Sequence, residues 1–163
     1  MRQVNGIIRH PLYQKYYSRL MELERDRAFC RHQMTHLLDV ARIAYILNLE
    51  ENLGLKKEVI YAAAVLHDIG KCAQYEEKIP HEEAGEKIAE EILDDLPADM
   101  KFSDEEKDMI LMSIQGHRRL REDAEPLEYL LYRSDKASRM CFACPVEPEC
   151  NWSTEKKNME ILI

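Results

Sequence analysis

The stretch Val59-Ile60-Tyr61-Ala62-Ala63-Ala64-Val65-Leu66 contains no charge and is followed at once by His67-Asp68. A helix that is apolar nearly all round must be covered on every side, so this segment, residues 57–68, reads as the central element of the fold. The pair at its end is carried toward the interior with it. A buried aspartate has to be ion-paired, hydrogen-bonded or metal-bound. An adjacent imidazole and carboxylate offer a transition metal one nitrogen and one or two oxygens. The competing reading is that Asp68 ends its helix in solvent.

The remaining periodicity is helical, with no alternating strand pattern. Pro11 opens a helix to about Asp26 with Leu12, Tyr16, Leu20 and Leu23 on one stripe, and a second runs from about Gln33 to Asn48. Gly54 closes that hairpin. Gly70 suits a left-handed position past the central helix, and 72–80 reads as a polar loop ending at Pro80. A helix from His81 carries Glu82 and Glu83 in its first turn and stops at Pro97. Ser103-Asp104-Glu105-Glu106 is a capping box opening a helix to about Gly116. Pro126 starts the last helix, to about Met140. The expected fold is a single all-α bundle of six or seven helices. An N-terminal helical part (1–29) packs on a main domain (30–140), and a cysteine-containing tail (141–163) follows.

His36 shares an inward stripe with Val40, Ile43 and Leu47; His117 continues Ile110, Ser113 and Ile114; Asp135 sits beside Leu131 and Ser134. Any one of them alone is better explained as a satisfied core or surface residue. Together with His67, Asp68 and His81 they place four of the six histidines on separate helices able to converge. Bundle cores hold metals in this way.

The ordered set resembles the HD-domain superfamily of metal-dependent phosphohydrolases. His36-Leu37-Leu38-Asp39-Val40-Ala41 is similar to its first histidine motif, His67-Asp68-Ile69-Gly70-Lys71 to its eponymous motif, and Asp135 to its terminal aspartate. His81 and His117 resemble the extra histidines of the binuclear branch. The resemblance implies that Asp68 bridges two divalent metals, with His36, His67 and Asp135 on one and His81 and His117 on the other. Oxygen and nitrogen donors suit iron, manganese, cobalt, nickel or zinc, and iron is frequent in that branch. His32, one turn before His36, is the competing ligand or a substrate contact; His10 reads as a surface residue.

Around this set, Lys71 is a candidate catalytic or phosphate-neutralising group. Arg118, Arg119 and Arg121 form a basic run and Arg139 follows Asp135 by one turn, each a candidate phosphate contact or an ordinary solvated residue. Cys141, Cys144 and Cys150 offer three thiols to zinc or an iron–sulfur cluster, with Cys72, Cys30 or an external group as the fourth. Free thiols and a Cys144–Cys150 disulfide are the alternatives. Trp152 is expected to pack the tail onto the bundle.

A net charge of −8 in 163 residues disfavours nucleic-acid polymers as partners, and no run of 18 apolar residues occurs. Five cysteines without a secretory peptide point to a reducing, cytoplasmic setting. The resemblance implies hydrolysis of a phosphoester or phosphoanhydride in a small phosphorylated molecule, a nucleotide, by a metal-activated hydroxide. Two other classes stay open: a di-iron HD-fold oxygenase, and a non-catalytic module that holds nucleotide or metal.

Overall fold

The computed structural model describes residues 1–161 and 163, and among them the chain is all helix and loop. Six helices lie where the periodicity put them. They are α2 (Pro11–Leu23), α3 (Met34–Glu50), α4 (Lys57–Leu66), α6 (His81–Asp95), α7 (Asp104–Gly116) and α8 (Pro126–Ala137). Two shorter ones join them: α1 (Arg2–Arg9), and α5 (Lys71–Glu76) in place of the expected polar loop. Among the described residues no helix is long and apolar enough to cross a membrane.

The central role of α4 follows from its composition. Val59, Ile60, Ala62, Ala63, Ala64, Val65 and Leu66 are all buried, and α1, α3, α7 and α8 pack around it. The three alanines let neighbouring helices approach closely, while Leu66, Ile110, Ile114, Leu130 and Leu131 fill the core between them. Val4 and Ile7 of α1 reach the same core, which is why a polar-looking N-terminus still folds as a helix: only one narrow stripe of it has to be apolar.

The capping box at the start of α7 is present, with Ser103 and Glu106 bonded reciprocally. Gly54 takes the left-handed backbone that closes the α3–α4 connection, with φ of 74°. Gly70 differs from expectation. Its φ is −79°, an ordinary right-handed value. It is glycine because a Cβ there would fall 2.1 Å from the His81 carbonyl oxygen and 2.4 Å from the Gly85 nitrogen. The α4–α5 corner thus lies directly on the start of α6, and that contact brings His81 beside Asp68.

Gly70→Ala is therefore expected to cost at least about 2 kcal/mol, because backbone, and not a flexible side chain, must move. Gly54→Ala, strained only in its own dihedral, is expected to cost about 1 kcal/mol. Urea denaturation of the two variants checks both the sizes and their order.

Candidate metal centre

Five helix ends meet at one end of the bundle. His36 lies in the first turn of α3, His67 and Asp68 directly follow α4, His81 begins α6, His117 ends α7, and Asp135 lies near the end of α8. Three of the five present their C-terminal ends, whose partial negative charge favours a cation.

The histidines at the ends of α4 and α7 are held alike. Each occupies the position just past its helix and turns Nδ1–H back onto an unpaired carbonyl three residues earlier. His67 donates to Ala64 at 2.7 Å and His117 to Ile114 at 2.5 Å. The last carbonyls of any helix lack intrahelical partners, so the same bond finishes the helix and fixes the ring. His36 and His81 are held by side chains. The Ser138 hydroxyl donates to the Asp135 carbonyl at 2.7 Å, which leaves its oxygen to accept from His36 Nδ1–H at 3.0 Å. Gln74 Oε1 accepts from His81 Nδ1–H at 2.5 Å. In all four rings Nδ1 is engaged outward and Nε2 faces the centre, the tautomer a metal-binding imidazole needs.

The Asp68 carboxylate stands between two groups of these nitrogens. Its Oδ2 lies 3.0 Å from His67 Nε2 and 3.4 Å from His36 Nε2. Its Oδ1 lies 3.4 Å from His81 Nε2 and 3.9 Å from His117 Nε2. Asp135 Oδ1 completes the first group, 3.3 Å from His36 Nε2. Donor atoms of His36, His67, Asp68 and Asp135 lie within 4.8 Å of one another, and so do those of Asp68, His81 and His117.

Two observations show that these donors fit divalent cations. His67 Nε2 and Asp68 Oδ2 are buried without a hydrogen-bond partner although they are 3.0 Å apart, a deficit that a bound cation would make good. His81 Nε2 and His117 Nε2 are also 3.0 Å apart, with both Nδ1 atoms already donating. Two lone pairs at that distance repel unless a cation lies between them.

The two halves differ in charge. Burial alone would lower the His67 pKa, but the Asp68 and Asp135 carboxylates more than offset it and raise it to about 10. Burial and the Lys71 ammonium push His81 down to about 2, and burial with the His67 charge pushes His117 to about 4. Asp68 and Asp135 are held well below the usual carboxylate range: burial opposes ionisation, and the His67 charge for the first and the Arg139 charge for the second outweigh it.

Of the surrounding candidates, Arg139 is drawn in furthest. Its Nη2 donates to Asp135 Oδ1 at 2.9 Å and His36 Nε2 at 3.0 Å, and it lies 4.0 Å from Asp68 Oδ2. Lys71 Nζ is 3.7 Å from Asp68 Oδ1 on the other side. His32 Nε2 is 3.8 Å from Asp68 Oδ2, but its Nδ1 is bonded to the buried Glu24 at 2.5 Å. Arg118 stands on the rim, ion-paired to Glu82 at 3.0 Å, and Arg119 is exposed beside it. Arg121 is used elsewhere. It forms a two-pronged pair with Glu128, which is fully buried against Gly116 and locks α7 to α8. Of the cysteines, Cys72 donates to the Tyr16 carbonyl at 3.1 Å, and all five are free thiols, so no Cys144–Cys150 bridge forms. The Arg139 guanidinium lies 6.0 Å over the Trp152 ring, so the tail does fold back here.

Glu24, Gln74 and Ser138 were not singled out from the sequence. Ser138 follows Asp135 by three residues on the same helix face, a spacing that would have found it. Gln74 was hidden by the misreading of 72–80 as a loop, since only on α5 does it come back toward Lys71. Glu24 carries no local signal.

Comparison with known proteins agrees with this geometry. Residues 34–140, which contain all six donor residues, match the HD domain family. The chain belongs to the HD-domain family. This HD protein is also 45% identical over 161 residues to an uncharacterized protein of Clostridium beijerinckii (strain ATCC 51743 / NCIMB 8052), with 99% of each chain covered. No solved structure matches it.

Ser138→Ala and Gln74→Ala are each expected to weaken cation binding by about 10–100-fold, because each frees one ligand ring. Manganese or zinc titration against a chelator measures this. A cation entering the His67 half must also displace the proton that His67 holds up to about 10. Apparent affinity is therefore expected to fall as pH falls, by up to about tenfold per unit for one proton. The same titration at two pH values checks the sign.

Proposed function

We propose that this HD-domain protein is a metal-dependent phosphohydrolase that cleaves a phosphoester or phosphoanhydride bond in a small phosphorylated molecule, a nucleotide. The supporting observation is the shared carboxylate, with Asp68 Oδ2 facing one donor group and Oδ1 the other. In this reading His36, His67, Asp68 and Asp135 hold one cation and Asp68, His81 and His117 the other, with iron the first choice and manganese, cobalt, nickel or zinc also accommodated. A bound pair of such cations supplies an activated water nucleophile and neutralises the phosphoryl oxygens.

The chain's own groups supply the rest. The centre is nearly sealed, with His67, His81 and His117 at 2% exposure or less. Side-chain exposure is retained at Asp135 (13%) and Lys71 (15%), so a substrate approaches between them. Burial lowers the Lys71 pKa, which eases release of its proton to a departing oxygen. Arg139 cannot keep its guanidinium among the His36, Asp68 and Asp135 donors once a cation is there. Displaced toward the opening, its planar fork is suited to phosphate oxygens. Arg118 and Arg119 extend positive charge along the rim, and His32, braced by Glu24, borders the first donor group.

The test is product release from a panel of nucleotides and phosphate monoesters with each of the five metals, aerobically and anaerobically. Phosphate or nucleotide product is expected without oxygen uptake; oxygen consumption with no phosphoryl product would replace the hydrolase reading by an oxygenase. Asp68→Ala is expected to lose bound metal and at least about a hundredfold in turnover with helical circular dichroism intact. Lys71→Ala is expected to retain metal while kcat falls. Full activity in Asp68→Ala would rule the proposal out.

A further inference from the structure

Four cysteines gather beside the HD centre without taking part in it. Arg139 and His32 both approach Asp68 Oδ2, at 4.0 and 3.8 Å. Cys141 follows Arg139 by two residues and Cys30 precedes His32 by two, so the segment before α3 and the segment after α8 meet there with a thiol on each. The tail then folds in consecutive tight turns. The Cys144 N–H donates to the Cys141 carbonyl at 3.2 Å, the Glu147 N–H to Cys144 at 3.2 Å, and the Cys150 N–H to Glu147 at 3.0 Å. Each of the three cysteines thus sits at the corner of a turn. The chain end pins these turns down: Phe142 N–H donates to the Asn158 carbonyl at 3.2 Å, Asn158 Nδ2 to Ala137 at 2.8 Å, and Lys157 Nζ to the Glu147 carboxylate at 2.6 Å.

Cys141 is buried, and Cys30, Cys144 and Cys150 are half-buried in a segment whose neighbours are largely exposed. Burial raises the Cys141 thiol, and Cys30, Cys150 and Cys144 each add to that rise, in keeping with the meeting of the two thiol-bearing segments at Asp68. Cys72 is not among them; it belongs to the α2–α5 contact.

We propose that Cys30, Cys141, Cys144 and Cys150 form a four-thiolate site that holds a [4Fe–4S] cluster, separate from the His/Asp centre and adjoining it through Arg139. The spacing favours a cluster over a single zinc ion. Zinc at about 2.3 Å from each sulfur draws tetrahedral thiolates to within about 3.8 Å of one another. Among the described residues no three of these sulfurs lie within 4.8 Å of one another. A cubane binds each thiolate to a different iron and so keeps the sulfurs farther apart. The charge environment agrees. Lys157, held on the Glu147 carboxylate between Cys144 and Cys150, and Arg139, two residues before Cys141, place two cations beside the thiol-bearing turns. Bound there, the cluster ties the α2–α3 connection to the tail and holds both segments from which His32 and Arg139 enter the HD centre.

The full chain, purified anaerobically and reconstituted with ferrous iron and sulfide, is expected to carry about four acid-labile sulfides and a broad brown absorption bleached by dithionite. Acid-labile sulfide separates this site from iron at the His/Asp centre. Cys30→Ser, Cys141→Ser, Cys144→Ser and Cys150→Ser are each expected to lose sulfide and colour, while Cys72→Ser and Asp68→Ala keep both. Reconstituted wild-type protein without sulfide overturns the cluster, including the case of one zinc per chain. Full sulfide in Cys30→Ser overturns the four-ligand set.

Discussion

A carboxylate taken out of water must find opposite charge or donors around it, or it loses its own charge. Asp68 is 3% exposed and has seven cationic or imidazole groups around it. His32, His36, His67 and Arg139 approach Oδ2, and His81, His117 and Lys71 approach Oδ1, all within 4.0 Å. These groups come from α5, α6, the ends of α7 and α8, the loop before α3, α3 itself and the turn after α4. The carboxylate therefore does for one end of the bundle what the apolar face of α4 does for its middle, since every surrounding element supplies it a partner. Removing one side of such a buried arrangement costs about 3–5 kcal/mol where nothing replaces it.

The two sides of Asp68 are balanced by different means. On the His36–His67 side a second carboxylate, Asp135, raises the negative charge, and the metal-free chain answers with a proton on His67 and the Arg139 guanidinium. On the His81–His117 side no second carboxylate joins the inward donors, Glu82 standing 3.4 Å away at the outer Nδ1 of His81; Lys71 stands close and both rings are kept neutral by burial and neighbouring positive charge. A cation held on the first side would have to replace the His67 proton and the Arg139 guanidinium, whereas one held on the second would meet lone pairs already free. The first side gains more charge compensation and gives up more to obtain it, so the two occupancies respond differently to pH.

What the sequence disclosed about this protein was whatever depends on local pattern. The all-round apolar run located α4 and hence the burial of His67-Asp68; the stripe through Val40 oriented His36; and the Ser103–Glu106 capping box marked the start of α7. What it concealed depends on approach between distant segments. Gly70 looked like a left-handed cap, while its real constraint is the backbone of His81 and Gly85 packed on its Cα. The 72–80 stretch looked polar, but Cys72 and Ala73 are buried because α2 and α6 close over α5. Arg121 looked like part of a basic run, and only the fold places Glu128 beneath it. Glu24, which braces His32 across eight residues of irregular chain, has no periodicity to reveal it.

The way α4 and α7 end ties the fold to the chemistry. A helix that stops in the interior leaves carbonyls without donors, and glycine or solvent is the usual remedy. Here both helices stop on a histidine that donates back to the carbonyl three residues earlier. That bond uses the Nδ1 proton and turns Nε2 inward, as a free lone pair on His117 and with a displaceable proton on His67, so terminating the helix also decides which nitrogen faces the centre. Asparagine at either position could supply a donor to the same carbonyl, but it would carry no second nitrogen across the ring to the far side. The distance spanned by an imidazole, with a donor at one edge and an acceptor at the other, is what allows one residue to close a helix and point a ligand atom at Asp68.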